Sequence, residues 1–74
     1  MSNSSDIADL VLELRQQLGL TQEELAARLG VSFPTINRWE NGRNKPSRIA
    51  VKLIRGTLEE MGELGQELLS KYFT

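Results

Sequence analysis

Apolar side chains recur along the chain at helical spacing, and no run alternates apolar and polar positions with the period of a strand. Ile7, Leu10, Val11, Leu14 and Leu18 fall on one stripe of a helix. Ser5 stands as its N-cap, Asp6 and Asp9 suit the positive end of the helix dipole, and Gly19 supplies the exit, so a first helix is predicted over residues 5–18. Thr21 opens a second with a capping box to Glu24 and a staple between Leu20 and Leu25; Leu25, Ala26 and Leu29 face inward and Gly30 ends it. Ser32 repeats the device, with Pro34 in the first turn, a Val31–Ile36 staple and Trp39 continuing the stripe, which predicts a helix from Phe33 to Glu40 or Asn41. After the loop Arg43–Pro46, Ser47 caps a fourth helix carrying Ile49, Ala50, Leu53, Ile54, Leu58 and Met61. Gly56 lies inside that pattern, where the helix either continues at a cost of about 1 kcal/mol or breaks. Leu64, Leu68, Leu69, Tyr72 and Phe73 predict a short terminal helix after Gly62.

The expectation is one all-α domain of five helices over residues 5–74, behind a frayed terminus at residues 1–4. Seventy-four residues leave no room for a second domain, and so small a core must use nearly every apolar face. With neither cysteine nor histidine, disulfides, Cys/His zinc sites and thiolate or imidazole catalysis are excluded, and a cytoplasmic setting fits. No apolar run approaches the roughly 20 residues that span a bilayer, so no membrane partner is expected. No nucleophile is paired with a base and no glycine-rich phosphate loop occurs, so an enzyme is not expected, nor a cofactor or metal.

Charge changes the picture. The net charge of -1 conceals segregation, because residues 28–55 hold seven cations (Arg28, Arg38, Arg43, Lys45, Arg48, Lys52, Arg55) against Glu40 alone. Both flanks are acidic. A basic belt of this kind is either a solvated face or the footprint of a polyanion.

Only Gly30 and Val31 separate Leu29 from Ser32, so the second and third helices must meet at a tight turn, with small Ala26 on the inward face. That is the arrangement of a helix-turn-helix, whose second helix enters a major groove. Residues 7 to about 61 resemble the Cro and cI repressor-type (Xre) helix-turn-helix family. The resemblance rests on LTQEELAARLGVS, on WENG at Trp39–Gly42 and on KPS at Lys45–Ser47, with Leu25, Leu29, Val31, Ile36 and Trp39 at the apolar sites.

The resemblance implies a lambda-repressor-like DNA-binding domain, with helix 2 over residues 21–29, a recognition helix over 32–41 and C-terminal helices over 47–73. It assigns phosphate contacts to Thr21, Gln22, Asn41, Arg43, Lys45 and Arg48, and base-edge positions to Ser32, Phe33, Pro34, Thr35, Asn37 and Arg38. Among these Arg38 has the chemistry for a bidentate contact to guanine, whereas Phe33 and Pro34 offer no side-chain donor or acceptor. Arg15 and Glu40 fall where the family has a structural ion pair, and Arg28 and Arg55 read as solvated helix-face charges. The implied function is sequence-specific double-stranded DNA binding by a transcriptional regulator, a repressor, in a prokaryotic or phage nucleoid. A homodimer is expected, with Leu64, Leu68, Leu69, Tyr72 and Phe73 either its surface or intramolecular packing, and no small-molecule effector. The competing reading is an antitoxin-like or adaptor module for protein partners, or the DNA-targeting segment of a larger protein.

Overall fold

A computed structural model describes residues 4–73, and these form five helices with no strand among them: α1 (Ser4–Leu18), α2 (Gln22–Leu29), α3 (Phe33–Glu40), α4 (Arg48–Glu60) and α5 (Glu63–Phe73). None is long and apolar enough to cross a membrane. Residues 1–3 of the expected frayed terminus lie outside the described range, and Ser4 is already helical. Ser5 therefore sits inside the first turn of α1 and not at its cap. Asn3, Ser4 and Ser5 are all of capping type, so residue type alone could not choose among them.

The short helices owe their limits to local hydrogen bonds. Thr21 Oγ1 accepts from Glu24 N at 3.1 Å while Glu24 Oε1 accepts from Thr21 N at 2.8 Å, closing the capping box of α2. At its other end Gly30 adopts a φ of 74°, which lets Val31 N–H close back on Ala26 O at 2.9 Å. That bond satisfies a terminal carbonyl and turns the chain into Ser32 within two residues, a path a residue with a Cβ would take only under strain. Ser32 and Ser47 cap α3 and α4 through the amides of Thr35 and Ala50.

Neither α2 nor α3, at eight residues each, is long enough to persist alone. Burial holds them. Ile7, Leu10, Val11 and Leu14 of α1 meet Leu25, Ala26 and Leu29 of α2 and Ile36 and Trp39 of α3, and Ala50, Ile54, Leu58 and Leu68 close the core from α4 and α5. Each fully buried leucine stabilises the fold by roughly 1.5–3 kcal/mol relative to exposure. α1 packs on α3 and α5, and α4 on α2 and α5.

Three features go beyond what the sequence pattern specifies. Ile49 and Leu53 belong to the apolar pattern that predicts α4, yet they are 74% and 45% exposed, because the core-facing edge runs through Ala50, Ile54 and Leu58. A stripe that broad can lean either way, and its main partners α2 and α5 cover one flank. Arg55 is not merely solvated: its guanidinium lies 5.1 Å from the centre of the Phe73 ring. The apolar end of the chain is largely spent inside the molecule, since Leu68 is buried and Leu69, Tyr72 and Phe73 pack against the core, with Leu64 exposed. Tyr72 Oη donates to Glu13, which also pairs with Lys71 at 3.1 Å, and these two partners hold the Glu13 carboxyl below its ordinary pKa. The same carboxylate and the desolvation of the phenol raise the Tyr72 pKa.

α4 runs unbroken through Gly56, where nothing lies within 4 Å of the place a Cβ would take. Gly65 is the opposite case: a Cβ there would come within 1.6 Å of the Leu58 carbonyl oxygen, so α5 crosses α4 backbone to backbone. Gly65→Ala is expected to cost about 3 kcal/mol, the upper end for overpacking, because the obstacle is main chain and cannot rotate away. Gly56→Ala is expected to stabilise by about 1 kcal/mol. Thermal unfolding of the two variants separates them by a fall on the order of 15 °C against a rise on the order of 5 °C, and equal shifts would refute the close crossing.

Candidate nucleic-acid interface

Glu40 ends α3, where the helix dipole disfavours an anion, and its side chain is only 8% exposed. Arg15 offsets both costs. From the last turn of α1 its Nε donates to Glu40 Oε2 at 2.7 Å and its Nη2 to Oε1 at 3.1 Å, while Nη1 reaches Leu20 O at 3.2 Å. The Arg15 pKa is raised by this pairing. Two planar groups held edge to edge in this way fix α1 against α3 in rotation as well as distance.

The network continues outward. Gln22, the first residue of α2, donates from Nε2 to Glu40 Oε1 at 2.9 Å, and its Oε1 accepts from Asn37 Nδ2 at 3.3 Å. Asn37 Oδ1 in turn accepts from Asn41 Nδ2 at 3.0 Å. Gln22, Asn37 and Asn41 thereby form one polar line across the start of α2, the exposed side of α3 and the loop behind it. Among the described residues no buried side-chain nitrogen or oxygen lacks a partner.

A second cluster occupies the outer edge of α3. Ser32 Oγ and Thr35 Oγ1 lie 2.8 Å apart, and Arg38 Nη2 donates to Thr35 Oγ1 at 3.4 Å. Behind it the loop folds back, since Arg43 N–H bonds to Arg38 O at 3.0 Å. With its amide oriented so that both ends are satisfied, Asn44 donates from Nδ2 to Arg43 O at 2.9 Å and accepts at Oδ1 from Arg38 Nε at 3.1 Å.

The structure therefore brings Gln22, Asn37 and Asn41 together, and separately Ser32, Thr35 and Arg38. Phe33, 44% exposed, and Pro34 stand at the front of α3 without joining either group. Thr21 is exposed and committed to its capping box. Arg43, Lys45 and Arg48 are exposed, with no side-chain hydrogen bond or ion pair among the described residues. Asn44 is the residue that sequence reasoning missed. Its spacing carried no signal, and only the backbone reversal at Gly42 and Arg43 places its amide beside Arg38.

Such a surface presents unpaired cations beside a rigid polar helix edge. The cations can neutralise closely spaced phosphates, and the edge can meet hydrogen-bonding groups between them.

Comparison with known proteins agrees with this geometry. A family model described as helix-turn-helix matches residues 11–59. An uncharacterized HTH-type transcriptional regulator of Methanothermobacter thermautotrophicus is 46% identical over 63 residues, covering 78% of this chain and 91% of its own length. Another of Archaeoglobus fulgidus is 34% identical over 70 residues, 93% of this chain and 31% of its own. The type II methyltransferase M1.ScrFI of Lactococcus lactis subsp. cremoris is 38% identical over 56 residues, 72% of this chain but 14% of the enzyme. No solved structure matches.

Arg15→Ala would leave the half-buried Glu40 without its cation and with Gln22 as its remaining side-chain donor, which is expected to cost about 3 kcal/mol. Replacing both partners, Arg15→Met with Glu40→Gln, is expected to recover much of that loss. Urea unfolding of the three proteins tests it, and a single variant as stable as the parent would show the pair to be dispensable.

Proposed function

Because the chain belongs to the Cro/cI-type (Xre) helix-turn-helix family and relatives of it are named HTH-type transcriptional regulators, we propose that it binds double-stranded DNA sequence-specifically as a homodimeric repressor. The observation that carries this reading is the polar edge of α3 flanked by the exposed cations Arg43, Lys45 and Arg48. On this reading α3 enters the major groove and Arg38 meets a guanine, with Ser32, Thr35 and Asn37 beside it and Phe33 and Pro34 against thymine methyls or sugars. Arg43, Lys45 and Arg48 neutralise phosphates, joined by Thr21, Gln22 and Asn41. Gln22 and Asn41 then act in two directions, because each already bonds within the protein.

Affinity for random duplex is expected to fall steeply with salt. Removing Arg43 and Lys45 together should weaken every sequence alike and flatten the log–log slope by about 1.8 per protomer. Arg38→Ala should instead relax preference for one base pair by about 1–3 kcal/mol and leave the slope nearly unchanged. Binding titrations at several salt concentrations decide between these roles, and a salt-independent affinity ends the DNA reading.

The homodimer draws on a different surface from the one that the apolar terminus suggested. Exposed Ile49 and Leu53 lie one turn apart on α4. An antiparallel crossing of two copies centred on Val51 sets Ile49 of one against Leu53 of the other and buries both apolar residues. Such a contact is self-complementary, as a two-fold interface requires. Leu53→Glu is then expected to sediment as a monomer of 8.3 kDa with unchanged helicity. A parent chain that stays monomeric at millimolar concentration with and without DNA overturns the dimer.

A second reading, a DNA-targeting segment within a longer protein, draws on the methyltransferase of which the chain spans 14%. An immunoblot of native cells separates the two, since a free regulator runs near 8.3 kDa.

A further inference from the structure

An arginine has five N–H donors: one on Nε and two on each terminal nitrogen. On Arg38 the Nε donor goes to Asn44 Oδ1 at 3.1 Å, and one Nη2 donor goes to Thr35 Oγ1 at 3.4 Å. Three remain, two on Nη1 and one on Nη2. The side edge of the guanidinium, Nε with Nη2, is thus committed to the protein, and the end edge, Nη1 with Nη2, is left outward. A long exposed side chain otherwise samples many rotamers, and holding it in one removes an entropic cost from whatever it binds.

From this geometry we infer that Asn44 is a positioning residue for DNA reading: its amide fixes Arg38 so that only the end edge of the guanidinium meets a base. The inference rests on the proposed base-reading role of Arg38. Asn44 itself touches no base. Its amide bridges the Arg43 carbonyl and the Arg38 side chain, and it sits between two cations, Arg43 and Lys45, assigned to the phosphates. The loop that grips the backbone and the side chain that reads the groove are therefore joined through one amide. Ordering the loop on phosphate orders the reader with it, so register on the backbone and discrimination at the base pair arise together. The oxygen of Asn44 is the operative atom, because Nε–H can only donate.

The test starts from a duplex selected with the parent protein and from the same duplex altered at each base pair in turn. Arg38→Ala identifies the pair whose discrimination depends on that side chain. Asn44→Ala is expected to lower discrimination at that same pair, from about tenfold to about twofold, with the salt slope unchanged. In the double variant discrimination should be no lower than in Arg38→Ala alone, the non-additivity of two residues acting as a unit. Asn44→Asp keeps an acceptor for Nε but adds a negative charge, so it should retain discrimination while weakening every duplex equally.

Two outcomes overturn the inference while leaving the base-reading role intact: Asn44→Ala discriminating as the parent does while Arg38→Ala does not, or Asn44→Asp losing as much as Asn44→Ala. If Arg38→Ala leaves every preference unchanged, the base-reading role fails first and the inference falls with it.

Discussion

A carboxylate at the wrong end of a helix organises this molecule. Glu40 closes α3 where the dipole repels it, and it is nearly buried, so its two oxygens must be fully engaged. Arg15 supplies two donors from α1 and Gln22 a third from α2. Three helices are thereby referred to one group. An apolar contact could hold α3 against the core equally well, as Ile36 and Trp39 do, but apolar packing tolerates sliding and a forked ion pair does not. On the proposed DNA-binding reading the outer edge of this eight-residue helix presents side chains at fixed spacing, and that difference in tolerance then matters more than the net stability of the pair, which desolvation keeps modest.

Legibility in the sequence followed the range of the interactions. Thr21 with Glu24, Ser32 with Thr35 and the turn at Gly30 are settled within a few residues, so residue type and spacing announce them and the helix-turn-helix along with them. Ser5 was misplaced as a cap because several adjacent polar residues are chemically equivalent there. Ile49 and Leu53 could not be told apart from the core positions of α4, because periodicity defines a stripe but not which edge of it is covered; that depends on how α2 and α5 approach α4. The packing of Leu68, Tyr72 and Phe73 was open for the same reason, and it turns on Gly65, whose missing Cβ admits the close crossing. Within the site, Gln22 was legible as a polar group at a helix start but not as a bridge from Glu40 to Asn37, and Asn44 not at all. Both depend on contacts between separate elements, which a one-dimensional pattern does not contain.

Charge follows the same division. The acidic flanks that pull the pI down to about 5.3 lie on either side of the segment holding the candidate cations, and Glu13 is engaged by Lys71 and Tyr72 at the α1–α5 contact. The cations of the α3–α4 loop face solvent without acidic partners among the described residues. Potential near a surface depends on local charge within about a Debye length, roughly 8–10 Å, so the average over the chain says little about what that loop attracts.

The narrowness of the outer edge of α3 then sets a requirement on recognition. Its donors and acceptors are already joined in two internal clusters, so the edge is rigid but has few free valences: the end of Arg38, one remaining site on each end of the Asn37 amide and the one hydroxyl hydrogen that the Ser32–Thr35 contact leaves over. One or two base contacts at about 1–3 kcal/mol each sum to about 1–6 kcal/mol, which reaches only the lower part of the roughly 4–10 kcal/mol that separates specific from non-specific binding. A single copy with this edge is therefore a weak discriminator however firmly its loop holds phosphate. Two copies reading two half-sites double the base-dependent part, which brings the sum further into that range. On the proposed DNA-binding reading, the exposed apolar pair on α4 and the sparse reading edge on α3 belong to one argument, because selectivity assembled from so few base contacts needs a second recognition helix.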